Sequence, residues 1–559
     1  MTSNRHEIAL LSSGRRIEAT EGQTLFQALA RAGIQLRSEC GGKGICAKCL
    51  VDIQEEPDEP GTQRHGQVGI DVGSRLPRLV QRQACQWEVQ SNLAIDIPFT
   101  SLAPAEVITK PTFVRKFGPV RTTPTPALSR AGYGLAVDLG TTTIAHFLCD
   151  PGQGKVLASG SVRNPQLIFG DDVMSRISSV AFDRANLAKM QELVVSAVNH
   201  SVASLAGQCG IETDDIAKVV VVGNSCMIHL FLGVDPSSLG TYPYQPAFTG
   251  SREMAAGDVG LLGLHPEARV HTLPLISGFL GCDVVAGVMA SDLDLRDDGT
   301  LMLDVGTNGE VILNVRGDLI AASCATGPAL EGAAISHGMH AVSGAVDAIS
   351  LDPVDARVSH SLIQRNPEEP RKPAGICGSG VVSAVAALLK AGAILESGRF
   401  NPQCNHPNLR RNSGGAVEFV LVAAEETEAG VDITLTQKDV RAVQFAKAAV
   451  LAGITLLCRE AQLKLPARLL MAGAFGTLLN KEDAMTIGML PRLARNSVKA
   501  VGNAAGEGAI LAVLDGDTTE RAEEIARRTR VVDLASHPDF NKVFLNSLAF
   551  PDPRGQSSA

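Results

Sequence analysis

The first part of the chain alternates between apolar and polar positions as short strands and one helix require. Strand-like alternation occurs at 6–11 and 15–19, and helical spacing follows at 24–32. Strand-like alternation returns at 48–53 and in a region that ends near Ile97. An acidic loop with proline, 55–66, separates the last two stretches. This order predicts an α+β domain of the β-grasp class over residues 1–98.

Residues 101–132 show no sustained hydrophobic period. The stretch contains several prolines: Pro104, Pro111, Pro119, Pro124 and Pro126. Because proline stiffens a chain and favours extended geometry, we interpret residues 99–131 as a linker. The linker either tethers the first domain with some freedom to move or lies as a fixed strap along the next domain.

One strand–turn–strand pattern occurs twice in the rest of the chain. The two copies lie at 133–148 and 301–313 and contain Asp138-Leu-Gly140-Thr141-Thr142 and Asp304-Val-Gly306-Thr307-Asn308. Backbone N–H groups in such a turn can bind phosphate, and the aspartate can orient Mg²⁺ through water. A single Asp-x-Gly-Thr turn is common, but its duplication after an apolar strand predicts two facing lobes that hold one nucleotide.

Further glycine-rich turns follow apolar strands or begin helices in the two halves. They lie at 223–225, 327–332, 375–380, 473–476 and 502–508. We therefore predict α/β lobes at 132–298 and 299–515. A tail at 516–559 follows, with a charged helix at 519–528, and its role stays open.

Several polar residues near these turns allow two interpretations. Asn164-Pro165-Gln166, with Asp171 and Asp172, either lines the cleft or precedes an ordinary helix start. Similarly, Asp283 either faces Mg²⁺ or caps a helix, and Asp283 and Glu310 are both candidates for orienting the attacking water. In contrast, His337 and His340 lack partners at metal-ligand spacing and are interpreted as structural.

Composition limits the classes of partner. The chain has 559 residues, of which 45% are hydrophobic and 19% charged, as in a globular protein of several domains. A net charge of −9 and an aromatic content of 4% argue against nucleic acid or an anionic membrane as the main partner. The apolar segment 440–458 contains Arg441 and Lys447, which favours a buried amphipathic helix over a membrane span. We expect a cytoplasmic protein.

Three of the twelve cysteines, Cys40, Cys46 and Cys49, fall within ten residues, and Cys85 follows much later. A [2Fe–2S] cluster takes three thiolates from one loop and a fourth from a distant strand. The glycines between Cys40 and Cys46 suit a loop that turns sharply around inorganic sulfide. Zinc is a weaker alternative because only Cys46 and Cys49 form a short pair. The remaining cysteines are scattered, so we interpret them as buried small side chains rather than disulfides.

These motifs resemble two known families. The spacing Cys-x5-Cys-x2-Cys-x35-Cys resembles that of [2Fe–2S] ferredoxins of the adrenodoxin and putidaredoxin kind. The duplicated turns resemble those of acetate and sugar kinases, chaperone ATPases and actin, whose two ribonuclease-H-like lobes bind ATP between them. The resemblance implies ATP-site roles for Asp138, Gly140, Thr141 and Thr142 in a first phosphate loop; Asp304, Gly306, Thr307 and Asn308 in a second; Gly473 and Gly476 beside the adenosine; and Glu331, Gly378, Ser379 and Gly380 near the ribose or base.

The combination of a ferredoxin with an ATPase indicates an electron transfer that needs energy. Each 1.4 kcal/mol from an ATPase shifts a one-electron equilibrium by about 59 mV. The whole chain resembles the reductive activators of corrinoid proteins, including the phrases at 40–46 and 170–177. This resemblance implies Mg-ATP-dependent transfer of one electron from the [2Fe–2S] cluster to a Co(II) corrinoid protein of a methyltransferase system, which restores Co(I). It also implies a homodimer and a separate electron donor, which the sequence does not identify.

Three alternatives stay open at this point. The activators of 2-hydroxyacyl-CoA dehydratases also join this ATPase fold to an iron–sulfur cluster, although their cysteines belong to the ATPase fold itself. A redox-sensing protein whose cluster controls ATP-dependent partner binding is a second alternative. A simple sugar or acid kinase is the third, and it gives the ferredoxin no role.

Overall fold

The computed structural model describes most of the chain. The described residues are 4–11, 15–32, 34, 36, 49–55, 78–98, 101, 132–170, 172–306, 308–332, 335–352, 356–364, 371–516 and 518–552. Three predicted ligands, Cys40, Cys46 and Thr307, lie outside these residues. So do Asp171, the predicted linker apart from Ser101, and the predicted acidic loop apart from Glu55.

The N-terminal domain is a five-stranded sheet with one helix. Its elements are β1 Arg5–Leu10, β2 Arg16–Thr20, α1 Leu25–Arg31, β3 Leu50–Glu55, β4 Arg78–Gln83 and β5 Leu93–Asp96. The strand order is β2-β1-β5-β3-β4, and only β1 and β5 run parallel. Thr24 begins α1 with a capping box, in which Thr24 and Gln27 each accept a hydrogen bond from the other's backbone N–H. The buried faces of the strands and α1 form one core, as the β-grasp prediction requires.

The first lobe (residues 132–298) is built on a six-stranded sheet with the order β10-β11-β9-β6-β7-β8. Its elements are β6 Tyr133–Leu139, β7 Thr143–Asp150, β8 Lys155–Arg163, α2 Val173–Phe182, α3 Ala185–Cys209, β9 Ile216–Gly223, α4 Ser225–Phe231, β10 Arg252–Ala255, α5 Ala256–Val259, β11 Arg269–Thr272 and α6 Cys282–Ser291. A 3-10 turn, Pro165–Phe169, follows β8.

The second lobe (residues 299–552) contains a six-stranded sheet with the order β22-β21-β12-β13-β14-β23 and two three-stranded sheets, β16-β15-β17 and β18-β19-β20. Its elements are β12 Thr300–Val305, β13 Gly309–Val315, β14 Asp318–Cys324, β15 Ala345–Leu351, β16 Val358–Leu362, β17 Gly375–Ile376, α7 Gly378–Lys390, β18 Leu409–Arg411, β19 Val417–Val422, β20 Ile433–Thr436, α8 Gln437–Glu460, β21 Arg468–Ala472, α9 Gly473–Leu478, α10 Lys481–Thr486, β22 Val498–Gly502, α11 Ala504–Leu514, α12 Thr518–Arg528, β23 Thr529–Val531 and α13 Phe540–Asn546.

The duplication seen in the sequence is also a duplication of topology. In the first lobe, β6, β7 and β8 form an antiparallel meander, and β9 runs parallel to β6. In the second lobe, β12, β13 and β14 form the same meander, and β21 runs parallel to β12. The two Asp-x-Gly turns therefore occupy equivalent places, each between the first two strands of its sheet.

Helices α6 and α11 join the two lobes. Their buried residues share one hydrophobic core with residues of both large sheets, such as Val137 and Met302. Gly508 of α11 lies so close to α6 that a Cβ atom there would be 2.2 Å from the carbonyl oxygen of Ala286. The small residues at 502–508 thus permit the close packing that the sequence predicts.

Helix α8 forms the centre of the second lobe. It begins at Thr436 with a capping box that includes Asp439. Among the described residues, α8 alone has the length and composition that would suffice to cross a membrane, and most of it is buried within the protein. The predicted buried amphipathic helix at 440–458 is therefore present.

The segment predicted as a tail, 516–559, is packed into the fold wherever it is described. Strand β23 adds to the second-lobe sheet in parallel with β14. Helix α12, close to the predicted 519–528, places Ile525 in the core shared with the first lobe. Arg521 of α12 also forms ion pairs with Asp292 and Asp294 of the first lobe, with N–O distances of 3.1 and 2.7 Å.

We expect Ile525→Ala to destabilise the whole ATPase part. Ile525 is only 3% exposed, and truncation of a buried isoleucine costs about 2–5 kcal/mol. The midpoint of urea unfolding followed by circular dichroism measures the loss. Glu520→Ala, at an exposed position of the same helix, is the control and should leave the midpoint unchanged. Equal midpoints for the two variants would show that α12 is peripheral.

Candidate functional site

The two lobes enclose a cavity of about 240 Å³ at the ends of β6 and β12. Most of the predicted ATP-site residues line it: Asp138, Gly140, Thr141, Thr142, Asp304, Gly306, Asn308, Glu331, Gly378, Ser379 and Gly473. Two predicted residues, Gly380 and Gly476, are not among the lining residues. A Cβ atom on Gly380 would lie 2.2 Å from the carbonyl oxygen of Val346, so this glycine permits close packing of α7 on β15.

The first phosphate loop, residues 140–142, is held in place by buried side chains behind it. The side-chain amide of Asn164 donates to the carbonyl oxygen of Gly140 at 2.9 Å. The Arg176 guanidinium donates to the carbonyl oxygen of Thr141 at 2.5 Å, and Asn224 donates to the Thr141 hydroxyl at 2.9 Å. Asn164 and Arg176 are fully buried, so the backbone of the loop is tied to the interior of the first lobe.

The second phosphate loop follows β12 in the same way. The backbone N–H of Gly306 donates to the carbonyl oxygen of Asn308 at 2.9 Å, which closes a tight turn. Gly473, at the start of α9, has a φ angle of +82°, and a Cβ atom there would lie 2.5 Å from a carboxylate oxygen of Asp304. Glycine is required at this position both by its conformation and by the nearby carboxylate.

Two hydrogen bonds cross the cleft. The Thr142 hydroxyl donates to a carboxylate oxygen of Glu331 at 3.0 Å. The Asn503 side-chain amide donates to a carboxylate oxygen of Asp138 at 2.7 Å. Glu331, which the resemblance places near the ribose or base, thus contacts the first phosphate loop in this structure. Each bond joins a residue of the first loop to the second lobe, so the spacing of the lobes is coupled to the shape of that loop.

Four half-buried carboxyl groups line the cavity: Asp138, Asp283, Asp304 and Glu310. Burial raises the pKa of Asp138 to about 6, although the hydrogen bond from Asn503 opposes the rise. Burial, with the nearby Asp138, raises the pKa of Asp304 to about 7. Burial and the neighbouring carboxylates also raise the pKa of Asp283 and of Glu310. Such a set of hard oxygen ligands is stabilised in its ionised form by a divalent cation.

Direct coordination by protein side chains alone is not seen. Within the parts of the chain that the structure describes, no three His, Cys, Asp or Glu side chains are arranged to hold a metal ion. Mg²⁺ in nucleotide sites usually keeps several waters and is bound by one or two carboxylates together with the phosphates.

The structure decides several positions that the sequence leaves open. Asp283 lines the cavity from the first turn of α6, whose N-cap is Gly281, and its carboxylate accepts from the N–H of Val284 at 2.9 Å. Gln166 lies behind the phosphate loop and does not line the cavity. His340, interpreted as structural, reaches the cavity wall. The role of Asn503 was missed because an asparagine before a helix is also an ordinary cap, and its oxygen does accept from the N–H of Gly506.

Two of the predicted cluster ligands belong to the core of the N-terminal domain. The register of β3 and β4 pairs Leu50 with Gln83, and the carbonyl oxygen of Cys49 accepts from the N–H of Ala84 at 2.9 Å. Cys49 is buried in this core, and Cys85 packs against it. Cys49 forms no disulfide. The sheet thus brings the end of the cysteine loop beside the distant fourth cysteine, as a [2Fe–2S] site requires.

Comparison with known proteins gives consistent results along the whole chain. Residues 8–89 match the 2Fe-2S iron-sulfur cluster binding domain, residues 133–296 the RACo middle region, and residues 298–557 the C-terminal domain of RACo, described as the ASKHA domain. The corrinoid activation enzyme RamQ of Eubacterium limosum is 31% identical over 96% of this chain and 98% of its own length. The chain belongs to the RACo family.

Two further relatives support this assignment. A solved structure named as the reductive activator for corrinoid, iron-sulfur protein superposes on this RACo family member with a TM-score of 0.69, at 29% identity and 98% coverage of both chains. The [Co(II) methylated amine-specific corrinoid protein] reductase of Methanosarcina barkeri is 25% identical over 75% of this chain and 77% of its own length. The predicted fold, a [2Fe–2S] ferredoxin domain followed by an ASKHA-type ATPase, is confirmed, as are the predicted cluster and ATP as its cofactors.

The raised pKa of Asp304 predicts a pH-dependent penalty in the metal-free protein. The neutral carboxyl is favoured in the folded state, so its stabilising effect is complete below pH 4 and is lost as the pH rises through about 7. Relative to Asp304→Asn, the free energy of unfolding of the wild type should fall by about 2 kcal/mol from about pH 5 to pH 8 in EDTA.

The control for this measurement is Asp258→Asn, at an exposed position of α5. Its difference from the wild type should stay constant over the same range of pH, as followed by chemical denaturation. A constant difference for Asp304→Asn as well would mean that Asp304 is already ionised in the folded protein.

The bond between Asn503 and Asp138 should contribute to nucleotide affinity. Asn503→Ser keeps a helix cap but removes the donor to the carboxylate, which costs about 1.5 kcal/mol or more, or at least a tenfold weaker binding. Isothermal titration with Mg-AMPPNP measures the change. Asn480→Ser is the matched control, because Asn480 caps α10 at an exposed position away from the cavity. If both variants bind equally well, the bond to Asp138 has no role in binding.

Proposed function

We propose that this protein is an ATP-dependent reductive activator. It transfers one electron from the reduced [2Fe–2S] cluster to a Co(II) corrinoid protein of a methyltransferase system. The products are Co(I), the oxidised cluster, ADP and phosphate. The observation that supports this most strongly is the presence of a [2Fe–2S] domain and a two-lobed nucleotide cleft in one chain, similar along its length to a corrinoid activation enzyme.

In this function the cleft residues bind and orient Mg-ATP. Backbone N–H groups of the two loops face the phosphates, and Asp138 and Asp304 orient the metal through its waters. The apolar side chains of Leu330, Phe475 and Leu478 line another part of the cavity and suit an adenine ring. Mg²⁺ is part of this proposal, supported by the half-buried carboxylates.

The hydrogen bonds across the cleft link the bound nucleotide to the relative position of the two lobes. Thr142 and Asp138 both belong to the first lobe near the phosphates, and their partners belong to the second lobe. A change from ATP to ADP alters the charge and length of the ligand between them, and thereby the preferred separation of the lobes. In a corrinoid protein bound to both lobes, the change in lobe separation would alter the surroundings of the corrinoid cofactor.

The cysteines would bind the cluster that carries the electron. Cys49 and Cys85, with Cys40 and Cys46, would hold the [2Fe–2S] cluster, which supplies one-electron redox chemistry. The core around Cys49 limits solvent on one side of this site, and solvent exposure is one determinant of cluster potential. ATP is needed when the acceptor's potential lies below that of the cluster, since energy is then required for each electron.

We extend the proposal to the partners and location of the protein. An electron donor that is still to be identified re-reduces the cluster after each transfer. The protein acts as a homodimer in the cytoplasm and does not use nucleic acid or a membrane as its partner. The net charge of −9 and the absence of an aromatic-rich composition support these last points.

The decisive assay follows the visible spectrum of a Co(II) corrinoid protein under anaerobic conditions, with reductant and with or without Mg-ATP. We expect Co(I) to appear only with ATP. Cys85→Ala should abolish Co(I) formation while ATP hydrolysis continues, and Cys46→Ala should do the same. Cys404→Ala, at another half-buried free cysteine, should behave as wild type. Formation of Co(I) by Cys85→Ala would overturn the role of the cluster, and failure of the wild type with every corrinoid partner would favour a redox-sensing function.

A further inference from the structure

A buried network of hydrogen bonds leads away from the first phosphate loop. Arg176 of α2 is fully buried, and its guanidinium donates to the carbonyl oxygen of Thr141 in that loop. The same guanidinium donates to the carbonyl oxygen of Gly170 at 3.1 Å and to the side-chain oxygen of Gln166 at 3.3 Å. The planar fork of one arginine therefore fixes the phosphate loop relative to the 3-10 turn Pro165–Phe169.

The network continues through Gln166 to the long helix α3. Gln166 is fully buried, and its side-chain amide donates to the carbonyl oxygen of Met190 at 3.0 Å. Its backbone N–H donates to the side chain of Asn164, the residue that also holds Gly140. The side-chain amide of Gln166 thus accepts from Arg176 of α2 and donates to Met190 of α3. Gln166 does not line the cavity.

Helix α3 also carries the N-terminal domain. Glu192, two residues beyond Met190, forms an ion pair with Arg31 at 2.6 Å. One turn further, the Ser196 hydroxyl donates to the carbonyl oxygen of Arg31 at 3.2 Å. Arg31 is the last residue of α1, so α1 rests on the segment of α3 that the buried network reaches.

An apolar contact runs beside the polar one. Ile168 of the 3-10 turn packs against the core of the N-terminal domain, the core that contains Cys49. Its neighbour Phe169 packs against the core of the first lobe. The exposed pair of Arg31 and Glu192 contributes little on its own, whereas Ile168 buries apolar surface against the N-terminal domain.

We propose that Arg176, Gln166 and Ile168 are positioning residues that couple the nucleotide at the first phosphate loop to the seating of the N-terminal domain. The inference rests on the proposed function, because a nucleotide-dependent position of the N-terminal domain matters only if ATP controls electron delivery. A fully satisfied buried network has few alternative arrangements, so a ligand that fixes the loop also fixes the turn and α3. By linkage, a firmly seated N-terminal domain must favour nucleotide binding to the same degree.

Hydrogen–deuterium exchange of the full, cluster-loaded chain tests this coupling without a corrinoid partner. We expect Mg-AMPPNP to slow exchange in peptides of the first phosphate loop and, in addition, to slow exchange in α1 by about 5-fold or more. Ile168→Ala should retain the effect at the phosphate loop and lose it at α1. Ile168→Val, which keeps a branched apolar side chain, should restore the effect at α1.

A second variant tests the polar part of the network. Gln166→Glu keeps an acceptor for Arg176 but cannot donate to Met190, so it should also lose the effect at α1. Gln208→Ala, at an exposed position of α3, should behave as wild type. Thermal unfolding checks that each variant is folded.

Three results would overturn the inference. Exchange in α1 that does not respond to Mg-AMPPNP in the wild type would exclude the coupling. An equal response in the wild type, Ile168→Ala and Gln166→Glu would exclude these residues as its route. No response at the phosphate loop itself would reject the nucleotide site, and the coupling with it. A normal coupling in a protein that fails to produce Co(I) would instead refute only the proposed function.

Discussion

The half-buried carboxyl groups at the junction of the lobes constrain everything around them. Asp138 and Asp304 come to the same place because each ends the first strand of a duplicated meander, and the two strands point into one cleft. Asp283 and Glu310 add two more carboxyl groups to the same cavity. Ionised together in a medium of low polarity, they repel one another, and the raised pKa values express that repulsion and the burial. A divalent cation would favour the ionised form of these groups by offsetting their mutual repulsion.

The surrounding structure is built to hold these groups at short range. Gly473 leaves space for the Asp304 carboxylate, and Gly508 allows α11 to approach α6 so closely that Asn503 reaches Asp138. Behind the first loop, Asn164 and Arg176 donate hydrogen bonds to the carbonyl oxygens of Gly140 and Thr141 and hold them toward the interior of the lobe. Hydrogen bonds that support the phosphate loop and a ligand that offsets the charge of the carboxyl groups are complementary requirements for a site that must respond to its ligand.

The sequence predicted the domains and most of the site because its strongest signals are local. A repeated Asp-x-Gly turn, a spacing of cysteines and a capping residue such as Thr24 each lie within a few residues of one another. The residues that were missed act over long distances. Asn503, which has no predicted role, meets Asp138 from a distant part of the ATPase. Glu331 is predicted as a site residue, but its contact with Thr142 in the other lobe is not, because neither contact has a local pattern. Gly380 and Gly476, predicted near the ribose or base and beside the adenosine, are not among the lining residues of the cavity. For Gly380 the structure shows a packing role, and a glycine that permits close packing has the same local pattern as a glycine beside a nucleotide.

The packing of the C-terminal segment is also absent from the prediction. Helix α12 is strongly charged, and its few apolar residues resemble those of a free surface helix. Only the structure shows that Ile525 enters a shared core and that β23 completes a sheet.

The path of α11 and α12 has a consequence for how the protein can be divided. Both helices belong to the second lobe in sequence, yet they contribute to a core that includes the first-lobe sheet. A fragment made from the second half alone would carry the apolar faces of these helices into water, and a fragment made from the first half alone would lack part of its own interior. The chain therefore has no single cutting point that yields two self-sufficient halves. The two halves of this ATPase therefore depend on each other for a complete core.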